Sequence, residues 1–308
     1  MRHFLIDTDT ASNDAVALIM ALNYTGVQVE AITVGPGNVP TEQGVQNALY
    51  MLELCGKHVP VYRGAEKPLM RPLSTTQFVH GVDGMGEIGL QLAGYKPTEG
   101  YATTAIIDTI NRFPGEITLV TLGPLTNIAT ALLVDPSIVD KVRTCVVMGG
   151  TGHGHGNVTP VASFNIWADP EAASIVFHSG LPIKMVGWDI SRTYAVFNNQ
   201  DAERLRRISP MGKFCVDIQK TLIEFAKRQT DLGGFDMPYP IAMAIALDPT
   251  VATKIRSLYV TIETGSEVCR GQTVVDHQSV TSNPPNVEVV LEASREKFLE
   301  ILFAAVQR

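Results

Sequence analysis

The sequence predicts one open α/β domain over residues 1–308, with a mainly parallel sheet and helices on both faces. Three observations lead there. Short apolar runs alternate with longer helix-forming runs along most of the chain, the rhythm of strands joined by right-handed helical crossovers. The first apolar run, Phe4 to Ile6, ends in three closely spaced carboxylates, Asp7, Asp9 and Asp14. No linker rich in Pro, Ser or charge divides the chain.

Composition sets the outer limits. The 308 residues are 45% hydrophobic and 18% charged, enough for one extensive core. The net charge is -7 and no basic stripe is present, so nucleic acid and anionic membrane are poor partners. The usual Gly-rich phosphate loops are missing, which disfavours a highly phosphorylated substrate. Cys55, Cys145, Cys215 and Cys269 are far apart and in no metal spacing. They read as reduced thiols in a cytoplasmic protein. The chain enters its first strand at once, without a signal peptide, and no apolar run reaches the length of a membrane span.

The first strand and its turn organise everything else. Phe4-Leu5-Ile6 is short, whereas Ala15 to Leu22 is long enough for a helix, so the three carboxylates lie where a strand hands over to a helix. In an open parallel sheet that edge binds ligands. Crowded carboxylates repel and need a cation, a shared proton or the hydroxyls of a sugar. A helix N-terminus offsets this for Asp14 by only about 0.3–1 kcal/mol. A hard cation such as Ca2+ or Mg2+ is the physical favourite. The plainer reading is a solvated turn, with Ser12 or Asn13 capping the helix.

The chain then continues in order. Val27 to Val34 is a second strand, ending in the turn Gly35-Pro36-Gly37-Asn38 with an exposed amide. Thr41 to Cys55 is a helix and Val59 to Tyr62 a short strand. Residues 64 to 101 carry too many Pro and Gly for regular structure, and a loop that long is usually functional. It contains His80-Gly81-Val82-Asp83-Gly84-Met85-Gly86. Thr103 to Arg112 is a helix, and Ile117 to Leu122 is a strand closed by Gly123-Pro124. Thr126 is the expected cap of the next helix, through Leu133.

Val142 to Met148 is a strand ending in Gly149-Gly150. His153 and His155 alternate with glycines, a minor candidate for a transition metal. Asp169-Pro170-Glu171 opens a helix as cap, first-turn proline and first-turn acid. Ile183 to Gly187 is a strand leading to Trp188, read as core before base stacking. Polar helices follow from Asn199 to Ile208 and from Met211 to Arg228, a candidate lid. An apolar helix from Pro240 ends in Leu247-Asp248-Pro249. Two final strands are read at Arg270 to Asp276 and Pro285 to Val290, and Ser294 caps the last helix, Arg295 to Val306.

The stretch from Asp7 to Asp14 resembles the signature of the inosine-uridine-type nucleoside hydrolases, which carry Asp-x-Asp-Pro-Gly-x-Asp-Asp after their first strand. Asp7, Asp9 and Asp14 match; Thr10-Ala11 stands for Pro-Gly, and Asn13 for the first acid of the closing pair. His80-Gly81-x-Asp83-Gly84 matches the family's loop, where the His lines the nucleoside pocket. Asn157, in Gly-Asn-Val-Thr-Pro, and Asn165 match positions that hydrogen-bond ribose. The helix ending in Leu-Asp-Pro matches too, but the Asp and His that precede it in the family fall on Tyr239 and Pro238. Ser163 stands where the family usually has Glu.

The resemblance covers nearly the whole chain and implies a nucleoside hydrolase-like fold and hydrolysis of the N-glycosidic bond of a ribonucleoside. It implies Ca2+ held by Asp9, Asp14 and the Leu122 carbonyl, with Asp9 as the base that activates water and Asp7 as support from behind. Asn13, Asn38, His80, Asn157, Asn165 and Tyr239 are then the substrate contacts, and His80 or Tyr239 the acid for the leaving base. Three acids are replaced, at Asn13, Ser163 and Tyr239, which weakens the expected hold on Ca2+ and points to a modified nucleoside. Asp236 is the nearest substitute acid. The alternative from another class is a nucleoside-binding protein that has lost catalysis. A homodimer or homotetramer is the implied assembly.

Overall fold

The computed structural model describes residues 1–307. Among the described residues eleven strands run in chain order: β1 (Arg2–Thr8), β2 (Val27–Val34), β3 (Val61–Arg63), β4 (Ile117–Thr121), β5 (Val142–Met148), β6 (Ile183–Val186), β7 (Val196–Phe197), β8 (Phe235–Asp236), β9 (Ala252–Ile262), β10 (Thr273–Asp276) and β11 (Val287–Ala293). Nine form one sheet in the order β10-β9-β11-β6-β5-β4-β1-β2-β3, while β7 and β8 pair as a separate antiparallel ribbon. From β3 across to β11 every pairing is parallel; β9 and β10 add an antiparallel edge.

The sheet is sealed on both faces, because side chains alternate along each strand. In β1, Phe4 and Ile6 join the core under the helices Ser12–Asn23, Thr41–Cys55, Pro238–Leu247 and Arg295–Val306. Leu5 points the other way, into the core under Ala102–Arg112, Thr126–Val134 and Pro170–Phe177. β5 divides likewise, with Val146 and Met148 on one side and Cys145 and Val147 on the other. The helix Ser12–Asn23 is buried along its whole length, which accounts for its lack of a polar face.

β1 is an interior strand, and the chain winds outward from it in both directions, through β2 to β3 and through β4 to β6. The strand order therefore reverses between β1 and β4. Their carboxyl ends splay apart there, and such a crevice takes ligands.

Several local expectations change. The long strand β9 was not read from the sequence: its first half, Ala252 to Ser257, is largely exposed and lacks an apolar face. The polar stretch after Met211 is two helices, Pro210–Asp217 and Lys220–Gln229. The N-cap of Ser12–Asn23 is Ala11, not Ser12 or Asn13; Asp14 reaches back to accept from the Ala11 N–H at 3.2 Å. Thr126 does not cap its helix, which starts after Leu125; its hydroxyl donates to Asp169 instead, at 2.7 Å. Asp169 and Ser294 do cap their helices, accepting from the N–H groups of Ala172 and Lys297. Trp188 is only half-buried, with the Arg192 guanidinium 4.8 Å over its ring.

Candidate active site

The site begins with the turn after β1. The Thr8 hydroxyl donates to Asp14 Oδ1 at 2.8 Å, and the Thr8 hydroxyl oxygen accepts from the Thr10 N–H at 3.0 Å. This staple pulls the helix start against the strand end. Thr10 is held at φ 26°, a strained value for a β-branched residue, and Asn47 Nδ2 fixes its carbonyl at 2.8 Å. Asp9 and Asp14 are thereby fully buried side by side.

The turn after β2 closes over Asp9. Asn38 donates its backbone N–H to Asp9 Oδ2 at 2.5 Å and its Nδ2 to Oδ1 at 3.2 Å. The approach requires glycine at 37, where a Cβ would lie 2.0 Å from Asp9 Oδ2. The amide expected to be exposed is thus turned inward, and Asn38 is buried.

A directional chain of hydrogen bonds continues from Asn38. Its Oδ1 accepts from the Thr76 hydroxyl at 2.6 Å, so its Nδ2 faces both Asp9 and, at 3.0 Å, the Tyr239 oxygen. The Tyr239 hydroxyl donates to Asn165 Oδ1 at 3.4 Å. Asn165 Nδ2 then donates to the carbonyls of Leu122 at 2.7 Å and Met148 at 3.0 Å. Strand ends of β1, β2, β4 and β5 and the helix Pro238–Leu247 so converge on one point.

Burial governs the electrostatics. It pushes the Asp9 carboxyl up to about 6, against the opposing hydrogen bonds from Asn38. Asp14 rises well above the usual range through burial and the neighbouring Asp9 charge. Asp7, one layer behind, is pushed up to about 7 by burial, although Thr33 and Asn127 donate to its Oδ1 at 2.5 and 2.9 Å. Its Oδ2 is sealed with no partner. Burial, then Asp9 and Asp14, hold the Tyr239 hydroxyl in its neutral form. Burial brings His80 down to about 4, so it is uncharged at neutral pH.

Of the residues singled out from the sequence, Asp9, Asp14, Asn38, Leu122, Asn165 and Tyr239 form this one cluster. Asn13 borders it, with Nδ2 3.4 Å from the Asp236 carbonyl and a buried Oδ1 that has no partner. His80 is tied to Ser12 at the start of the same helix. Asn157 is not in the cluster; its Oδ1 accepts from the Phe164 N–H at 2.7 Å and closes the loop ahead of Asn165. Ser163 also holds backbone, accepting from the Gly150 N–H at 2.7 Å. The Asp236 carboxylate is turned to Ser191, at 2.8 Å. His153 stacks on His277 with ring centres 4.1 Å apart. Thr8, Thr76 and Gln219 escaped the sequence reading and Ser12 was read only as a helix cap, since a lone hydroxyl or amide carries no signal until the fold supplies its partner.

The donor set does not match a resident Ca2+ centre. Among the described residues no group of three or more His, Cys, Asp or Glu side chains is placed to hold one ion. Asp9 and Asp14 are the carboxylates, the Leu122 carbonyl already accepts from Asn165 Nδ2, and the place of a further acid is filled by the neutral Tyr239 hydroxyl, braced between two amides. Ca2+ seeks six to eight oxygens, and a phenol is a poor one.

A buried acid pair at the switch point of a doubly wound sheet, ringed by amides and a phenol, is the kind of site that α/β proteins use for small polar ligands. Comparison narrows the class. The model of the inosine-uridine preferring nucleoside hydrolases matches residues 4–300. The pyrimidine-specific ribonucleoside hydrolase RihA of Salmonella agona (strain SL483) is 36% identical over 306 residues, covering 98% of this chain and 97% of the relative. Among solved structures, the plant nucleoside hydrolase PpNRh1 superposes with a TM-score of 0.94 at 32% identity, over 99% of both chains. The purine-preferring ribonucleoside hydrolase from Gardnerella vaginalis gives 0.92 at 29% identity, over 99% of this chain and 98% of the other. The chain belongs to the inosine-uridine preferring nucleoside hydrolase family.

Proposed function

We propose that this protein hydrolyses the N-glycosidic bond of a ribonucleoside, releasing free base and ribose, with Asp9 as the base. The observation that carries the reading is the grip of Asn38 on both oxygens of a fully buried Asp9 at the switch point. Above about pH 6 Asp9 is a carboxylate, able to take a proton from water. As the C1′–N bond breaks, its electron pair leaves with the base and the sugar passes through an oxocarbenium-like state. Water oxygen bonds to C1′ and its proton goes to Asp9. The Asp9 carboxylate stabilises the positive sugar. Asn13 Oδ1 has no protein partner and is assigned to a sugar hydroxyl, which reaches it once the side chain turns out of its sealed position.

Tyr239 is the candidate donor to the leaving base, because its proton is held only by the long contact to Asn165. No step is assigned to Ca2+, since the donor set falls short of a calcium shell. With acids replaced at Asn13, Ser163 and Tyr239, the preferred substrate is a modified nucleoside rather than plain inosine or uridine. A screen of ordinary and modified ribonucleosides tests this. A kcat/KM above roughly 10⁴ M⁻¹s⁻¹ on inosine or uridine refutes the specialised substrate, and no turnover of any nucleoside despite tight binding supports a binding protein instead. Homodimers or homotetramers are the proposed assembly, to be read by light scattering.

A further inference from the structure

His80 is joined to the site by hydrogen bonds whose directions can be deduced. Ser12 lies one residue before Asn13 and two before Asp14. Its Oγ is 2.7 Å from Gln219 Oε1 and 2.9 Å from His80 Nδ1. A hydroxyl has one proton, so it donates to one of these and accepts from the other. Gln219 decides which. Its Nε2 donates to the Ser12 carbonyl at 2.9 Å and faces the Cys215 carbonyl at 3.4 Å. Carbonyls only accept, so the amide cannot be turned round, and Oε1 must face Ser12. That oxygen also only accepts. The Ser12 proton therefore goes to Gln219, and the Ser12 oxygen accepts from His80 Nδ1–H.

A neutral imidazole carries one ring proton. With that proton on Nδ1, Nε2 holds a lone pair. Ser12 and Gln219 are fully buried, so water does not compete for the relay. Nε2 makes no hydrogen bond among the described residues, yet it is not one of the sealed, unpartnered polar atoms. Its lone pair is used by no protein group.

We propose that Ser12 and Gln219 are positioning residues that hold His80 as the Nδ1–H tautomer, so that its Nε2 accepts a hydrogen bond from an N–H or O–H group of the substrate. His80 is then a specificity group and does not supply the proton to the leaving base. The substrate half of this inference rests on the nucleoside hydrolase reading; the tautomer does not. Burial keeps the second proton off the ring at neutral pH, in agreement with this assignment.

The tautomer is read by 15N-detected NMR of the histidine rings in the whole protein at pH 7, with His80→Asn to assign the signals. A pyridine-like Nε2 and a pyrrole-like Nδ1 are expected, and a protonated Nε2 overturns the proposal. In Gln219→Met the freed Ser12 hydroxyl can donate to Nδ1, so the Nε2–H form should rise from a trace to a major population. A folded Gln219→Met protein with an unchanged tautomer overturns the relay; if that variant does not fold, the wild-type spectrum still decides the tautomer.

The substrate half is tested in an Asp9→Asn background, where turnover is blocked. Uridine is compared with 3-methyluridine, and inosine with 1-methylinosine, to remove a base N–H; 5′-deoxyuridine removes a sugar O–H. At least one loss should weaken binding tenfold or more with His80 present and less than twofold in His80→Ala. Discrimination that survives His80→Ala overturns the substrate assignment. Failure of these and of every modified ribonucleoside in the screen to bind sinks the proposed function instead, and leaves the tautomer to the NMR result.

Discussion

Asn38 holds both oxygens of Asp9, the backbone N–H on Oδ2 at 2.5 Å and the side-chain amide on Oδ1 at 3.2 Å. One residue thus orients the carboxylate and links it, through the same amide, to the Tyr239 hydroxyl.

Asp9→Asn should reduce kcat by at least about 100-fold, the lower end of what general base catalysis contributes, because an amide takes no proton. The variant is isosteric and removes a buried charge but turns its amide donor against one Asn38 donor, so it should stay folded with a thermal midpoint within about 10 °C of wild type. Steady-state kinetics and a melting curve check both. Wild-type turnover in the variant would falsify the assigned base.

The pH profile carries the same assignment. Asp9 must be ionised to accept a proton, and burial sets its carboxyl near 6. The profile of kcat/KM should rise with pH, bend near 6 and flatten above it. A limb bending below pH 5 would remove Asp9 from the role.

Tyr239→Asp should put a third carboxylate beside Asp9 and Asp14. Wild-type protein should bind Ca2+ no more tightly than about 0.1 mM, as weakly charged sites do, and the variant at least tenfold more tightly. Titration calorimetry on both proteins reads the difference. Equal affinities would show that the Tyr239 position does not control the cation. Tyr239→Phe is the companion variant: it keeps the ring but loses the proton, and a kcat loss of about 100-fold or more identifies the hydroxyl as the leaving-group acid.

Asp7 makes a prediction about stability. Its folded-state pKa, about 7, lies above the ordinary 3.8, so the folded state binds more protons than the unfolded state between those values. The resulting penalty is absent below about pH 4, grows as pH rises, and is complete above 7. Asp7→Asn removes it, so the variant should melt a few °C above wild type at pH 8, with the gap closing toward pH 4. A gap that does not change with pH excludes ionisation of Asp7 as the cause.

The sequence by itself determined the parallel α/β fold, because apolar periodicity and segment length are local properties that survive in the unfolded chain. It also located the acid-rich turn, since three carboxylates within eight residues are visible without a fold. Caps such as Asp169 were equally local, acting on an N–H three residues away. β9 carried a signal only in its second half, where Leu258, Val260 and Ile262 alternate; its exposed first half has no apolar face. Only the tertiary structure decided which polar residues meet. Asn38 reaches Asp9 across 29 positions, Tyr239 reaches Asn38 across 201, and Gln219 reaches Ser12 across 207. Such pairings are set by the winding order of the strands, and a side chain's hydrogen-bond direction is set by partners that this winding brings near.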